Sequence, residues 1–259
     1  MIKFENYEVL GWEHAIRGMR NPMNSWEKSD SYDAVDCGTC GIIDRDGFCE
    51  PARHRQECYD HRCYYIGPND LDLMMRLRNA GTDHRKFMRM IAVYVDILAP
   101  LYWWKEFDTY KVGTVANSCS TMHKIHEKEF TLEDFSHEHL MGLTEYEEAS
   151  CWEDDFPQFE EKDGEPLFWT PIDILKHTIS GLNFYRQRYR ETKDKKYWWQ
   201  MIQLLPSSYN QKRTVMLNYE VLANIYKSRK THKLDEWRDF CVWVEGLPYS
   251  ELIIEEKGE

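Results

Sequence analysis

The chain has 259 residues, a hydrophobic fraction of 42%, an aromatic fraction of 14% and a formal net charge of −12. With 10 Trp, 16 Tyr and 11 Phe it has the apolar area for a packed core, which excludes a disordered or collagen-like chain. No apolar run approaches the roughly 18 residues of a membrane-spanning helix, and Met1 to Leu10 lacks a basic-then-apolar signal, so a soluble cytoplasmic protein with no membrane partner is expected.

In chain order, Ile2 to Leu10 alternates loosely and reads as a strand, and Gly11 to Met19 as a short helix. Arg20 to Asp36 is polar and irregular. Cys37 to Cys63 forms a Cys-rich, Gly-containing insertion. A helix capped by Asn69 or Asp70 follows, with Leu71, Met74, Met75 and Arg78 at helical spacing and Gly81 as its terminator. A second helix is expected from Thr82 or Asp83 to about Leu98. Leu101 to Tyr110 is intensely aromatic, and Lys111 to Ser120 can form a strand. Residues 127–165 hold 15 Asp+Glu against two Lys, so the rest of the chain sums to about +1. This stretch is expected to be an acidic surface segment with a helix near 131–148. Thr170-Pro171-Ile172-Asp173 is a capping-box start. From there to Gly246 the pattern reads as helical, broken near Thr192, at Pro206-Ser207-Ser208 and near Thr231.

Five of the eight Cys fall within the insertion: Cys37, Cys40, Cys49, Cys58 and Cys63. Cys37-Gly-Thr-Cys40-Gly has the two-residue spacing of a zinc knuckle, and Cys58 with Cys63 would complete four thiolates. Free reduced thiols are the competing reading. Disulfides rank last in a chain without a secretory signal.

Two further regions carry the residue types of a ligand site. The first is Gly81 to Ser120. Arg85 and Arg89 are spaced to share one helix face, and Tyr102, Trp103, Trp104 and Tyr110 can stack on a planar ring beside Lys105. The bland alternative is an aromatic core with Lys105 paired to Glu106 or Asp108. The second region is Asn218 to Arg238, in which Val221, Leu222 and Ile225 mark a buried helix face and leave Glu220 and Arg229 on the surface. Six cations between Arg186 and Lys196 read as an exposed helix end.

In this order, the two regions resemble the flavin-dependent thymidylate synthases (the thymidylate synthase complementing family). Gly81, Asp83-His84, Phe87 and Ile91 follow that family's Gly-x-x-Glu-His-x-x-Phe-x-Phe-x-Ile stretch, with Arg89 in place of the second Phe. Asn218, Leu222, Arg229, Glu236 and Arg238 follow its Asn-x-Arg-x-Leu helix and Glu-Ile-Arg, with Glu220 in place of an Arg and Trp237 in place of Ile. The family's Arg-His-Arg-x-x-Ser-x-Asn-Glu signature is not matched. Arg53-His54-Arg55 stands upstream of His84 without a following Ser-x-Asn-Glu, and Trp104-Lys105-Glu106-Phe107 occupies the expected place.

Together with the element pattern, the resemblance implies an α+β fold: helices around a small, mostly antiparallel sheet, with a helical C-terminal half, in one domain over residues 1–259. It implies reductive methylation of dUMP, or a related one-carbon modification, with hydride from reduced FAD and carbon from a folate. It assigns His84, Lys105, Asn117 and Asn218 to the flavin, and Arg85, Arg89, Ser118, Ser120, Arg229 and Arg238 to the nucleotide. A homotetramer with shared active sites is implied as well, and no nucleic acid polymer. Two other readings stay open: a relative that binds a nucleotide without flavin, and a zinc-stabilised interaction protein docking through its acidic segment.

Overall fold

The computed structural model describes residues 2–34, 63–142, 158–162 and 165–254. Its architecture is α+β, with an antiparallel four-stranded sheet. Strand β1 (Lys3–Leu10) leads into helix α1 (Trp12–Arg20). Short strands β2 (Tyr32–Ala34) and β3 (Cys63–Tyr65) pair antiparallel, with Tyr32 opposite Tyr65. Helix α2 (Pro68–Asn79) is followed by a 3₁₀ turn at Arg85–Met90, strand β4 (Ala92–Pro100), helix α3 (Leu101–Phe107) and strand β5 (Val115–Ser118). The hairpin of β6 (Gln158–Lys162) and β7 (Glu165–Phe168) precedes helices α4 (Pro171–Thr192) and α5 (Lys195–Leu204). Strand β8 (Asn210–Asn218) then passes into α6 (Tyr219–Arg229) and α7 (Asp235–Glu245). The sheet order is β1-β4-β8-β5.

Two expected helices are strands instead. Between Thr82 and Leu98 only a 3₁₀ turn forms before β4, and β8 interrupts the run that read as helical up to Gly246. The reason is a period of two. Val93, Val95 and Ile97 in β4 are buried, as are Gln211, Val215 and Leu217 in β8. β-Branched side chains at alternate positions suit a pleated surface better than a helix face. The helix expected near 131–148 is, among the described residues, a single 3₁₀ turn at Leu132–Asp134.

Local caps follow the sequence more closely. Thr170 and Asp173 form the expected capping box, with Thr170 Oγ1 donating to Asp173 Oδ2 at 2.6 Å. Gly81 stands just beyond α2 with φ +104. The start of α2 is a correction. Its first amides, Asn69 and Asp70, donate to the Asp30 carboxylate at 2.9 and 3.1 Å. Asp70 turns inward instead and accepts from Arg20 Nε at 2.6 Å and from the Ser29 and Ser31 hydroxyls, both at 2.7 Å. Burial pushes the Asp70 carboxyl up, and these hydrogen bonds outweigh burial and hold it below its ordinary value.

The chain forms two compact units. The first comprises Leu98–Lys105 and Ser118–Lys212; the second comprises Ile2–Ile97, Glu106–Asn117 and Arg213–Glu259. In the first unit, Ile125, Phe130, Phe135, Leu175, Leu182 and Met201 make one apolar cluster. In the second, Trp12, Ile16, Met74, Phe87, Met88, Val95, Val215, Tyr219, Leu222, Trp237 and Phe240 are buried. Asp96 on β4 links three strands there, accepting from Asn6 on β1 at 3.0 Å and from Thr214 on β8 at 2.6 Å.

Candidate functional site

The second unit brings the two motif regions together. The amide of Tyr219 donates to the carbonyl of Ile91 at 3.1 Å, which fixes the start of α6 beside the start of β4. Asn218 caps α6, its Oδ1 accepting from the Val221 amide at 3.0 Å. A β-carbon on Gly113 (φ +79) would stand 2.9 Å from both Asn218 Nδ2 and Val221 Cγ2, so glycine is required where that loop crosses the cap.

Glu220 lies in the first turn of α6 and is buried, contrary to its expected surface position. It accepts from Arg85 Nε at 3.3 Å and from both Nε and Nη2 of Arg89. Arg85 Nη2 also donates to Asn224 Oδ1 at 3.2 Å. Burial raises the Glu220 carboxyl, but hydrogen bonds from Arg89 and then Arg85 prevail and hold it below its ordinary value. Two departures from the family pattern, Arg89 and Glu220, are therefore one ion pair. The expected cationic patch exists, reduced to a single net positive charge by an acid 131 residues away in sequence.

A second cluster surrounds Arg229. Its Nη1 donates to Glu106 Oε2 at 2.7 Å and its Nε to the Tyr110 hydroxyl at 2.8 Å. The guanidinium lies 4.6 Å from the Trp237 ring centroid and 5.6 Å from that of Tyr110. Trp237 Nε1 donates to the same Glu106 oxygen at 2.9 Å, and His232 Nε2 stands 3.5 Å from it. Arg229, expected to face an anionic ligand, pairs within the protein with Glu106. The sequence signal for this partner was the acid inside the Trp-Trp-Lys-Glu block, and Asp108 of that block pairs with Arg213 at 2.8 Å.

The other expected residues are exposed or make local contacts. His84 is exposed and opens the 3₁₀ turn. Lys105 is exposed in the first unit, and Asn117 and Ser118 are exposed on β5. Ser120 Oγ accepts from the amides of Met122 and His123 at 3.3 and 2.9 Å, closing a local turn. Arg238 pairs with Asp235 one helical turn back. Trp103 and Trp104 are fully buried in the first unit and cannot present a face to a planar ligand. Trp104 Nε1 instead donates to the Gln211 carbonyl at 2.9 Å. Cys37, Cys40 and Cys58 lie outside the described residues, and of Cys63 only its place in β3 is described. Among the described residues no group of three or more His, Cys, Asp or Glu can hold a metal ion.

No protein-family model matches the sequence, and no curated protein does. Solved structures do match the fold. The flavin-dependent thymidylate synthase ThyX of Helicobacter pylori, complexed with FAD and dUMP, superposes with a TM-score of 0.56 at 17% identity, over 97% of this chain and 97% of that one. The UMP/dUMP methylase PolB of Streptomyces cacaoi, bound with 5-Br UMP, gives 0.51 at 12% identity, over 97% and 93%. The chain therefore has, along nearly its whole length, the fold shared by these two nucleotide-binding enzymes.

Proposed function

We propose that this protein binds a uridine nucleotide and methylates its base or makes a related one-carbon modification. The observation that carries this reading is the meeting of the two motif regions. The turn after His84 and the helix capped by Asn218 are far apart in sequence, yet they join through Tyr219–Ile91 and Arg85/Arg89–Glu220, within the fold of ThyX and PolB. Arg85 and Arg89 with Glu220 leave one net positive charge beside the Asn218 cap, with the Arg89 side chain 53% exposed. That arrangement suits a singly or doubly charged phosphate, which a guanidinium recognises through paired N–H groups. By the family resemblance of the sequence, reduced FAD, which ThyX binds together with dUMP, would supply hydride and a folate the carbon unit, in a homotetramer.

The residues assigned to the flavin, His84, Lys105, Asn117 and Asn218, include no guanidinium, and the Asn218 side-chain oxygen is engaged in capping α6. Arg85 and Arg89 share Glu220, Arg229 is engaged by Glu106, and Arg238 by Asp235. The want of a guanidinium dedicated to the flavin favours a second reading, a relative that binds a uridine nucleotide without flavin. One experiment separates the two. Purified protein is mixed with FAD, then with dUMP, and followed by visible absorbance and calorimetry. A perturbed flavin spectrum that responds to dUMP supports the flavin enzyme. Nucleotide binding by a protein that stays colourless supports the second reading, and binding of neither refutes both.

A further inference from the structure

The hairpin of α4 and α5 in the first unit carries cations that the proposed uridine site does not use. Six cations and two acids stand between Arg186 and Lys196. The acids are taken: Asp194 pairs with Lys196 at 3.0 Å and Glu191 with Arg188 at 3.6 Å. Among the described residues no carboxylate pairs with Lys193 or Lys195. Aromatic rings take that place. Lys195 Nζ lies 5.5 Å from the Trp199 centroid and 6.0 Å from that of Trp198, and Lys193 Nζ lies 5.7 Å from that of Tyr189. Lys193 adopts φ +58 at the end of α4, and Asp194 caps α5 by accepting from the Lys196 amide at 3.0 Å. The tight turn that results sets these side chains side by side.

A cavity of about 290 Å³ opens at this place, lined by Met122, His123, Tyr189, Lys195 and Trp198. One wall is tied down, because Trp198 Nε1 donates to the Met122 carbonyl at 2.9 Å. Next to it His126 packs edge-on against Tyr189, with centroids 4.9 Å apart. Burial, and after it the charge of Lys193, holds the His126 imidazole below its ordinary value against the opposing charge of Glu127.

We propose that this cavity binds a nucleoside phosphate, its base against the rings of Tyr189 and Trp198 and its phosphate on Lys195 and His123. The chemistry is an aromatic wall plus an ammonium without a carboxylate partner, the combination that takes a planar base carrying a phosphate. A volume of about 290 Å³ and five lining residues suit a mononucleotide rather than a strand threaded through it.

The test uses the full chain and AMP, a purine nucleotide that the uridine site should reject; because FAD contains an AMP half, dependence on Lys195 is what assigns the binding to this cavity. Tryptophan fluorescence and calorimetry should show saturable binding that weakens with salt. Lys195→Glu should weaken it at least about tenfold, and Trp198→Ala should also weaken it. Inorganic phosphate and adenosine, each lacking half of the contacts, should bind less tightly. Lys195 is exposed, so its variants should keep the wild-type melting temperature. Lys195→Ala serves as the second variant should the glutamate perturb the turn. Three results would overturn the proposal: no saturable AMP binding at millimolar concentration, AMP binding unchanged in both Lys195 variants, or Lys195-dependent binding of single-stranded DNA without binding of AMP. Binding of dUMP by the Lys195 variants reports separately on the uridine site.

Discussion

Arg229→Ala tests whether the Arg229 cluster is part of the scaffold. The substitution removes a 2.7 Å bond to Glu106, a 2.8 Å bond to Tyr110 and the guanidinium covering Trp237. A hydrogen bond between charged groups contributes about 1.5–3 kcal/mol, but Glu106 is 36% exposed and solvent screening brings that toward about 1. The neutral hydroxyl bond adds about 1 kcal/mol and the ring contact about 0.5–1. A loss of about 2–3 kcal/mol results, which for a chain of this size lowers the melting midpoint by roughly 4–10 °C. Thermal and urea unfolding read it directly. Arg229→Lys keeps the charge near Glu106 but loses the planar stack and the Nε donor, and should fall between wild type and alanine. An unchanged midpoint in Arg229→Ala, together with weakened uridine-nucleotide binding, would refute the argument and return Arg229 to ligand duty.

Asp70→Asn should cost about 3 kcal/mol, because it leaves the buried Arg20 without its counter-charge. The Asp70 carboxyl is held below its ordinary value in the folded protein, so its contribution is complete above about pH 4 and is lost as pH falls through the folded value. Acid unfolding of wild type should therefore be steeper below pH 4 than that of Asp70→Asn, and parallel curves would refute the assignment. Gly11 has φ +96, and a β-carbon there would stand 2.1 Å from the Met90 carbonyl oxygen. Gly11→Ala should cost about 1–3 kcal/mol of stability, read as a lower urea midpoint, and a gain would show that this backbone is not constrained. Burial, reinforced by Glu245, pushes the Cys241 thiol up to about 11, whereas Cys119 is exposed. Peptide mapping after iodoacetamide treatment of native protein at neutral pH should find Cys119 alkylated well before Cys241, and equal rates would refute the burial argument.

How much of the fold was legible depends on the range of the interaction responsible. Helix α1, the Thr170–Asp173 box and the Gly81 terminator rest on contacts within a few residues, and each appeared where residue order and spacing put it, as did β1, although β1 is held by β4. Strands β4 and β8 did not. Arg213, Thr214 and the His84–Arg89 run carry enough polar residues to imitate a helical stripe, and the alternation of Val93, Val95 and Ile97 acquires meaning only with partner strands beside it.

The same distinction governs the site. From residue order alone came the pairing of two regions, the family they resemble, an α+β fold and the confinement of excess negative charge to 127–165. Which cations remain open to a ligand was decided only in three dimensions. Arg85 and Arg89 meet Glu220, Arg229 meets Glu106, and Trp103 and Trp104 are buried, each through contacts with residues far along the chain or by burial in the core. A cation's duty is set by whichever acid the fold brings within hydrogen-bonding distance, and sequence spacing does not encode that distance.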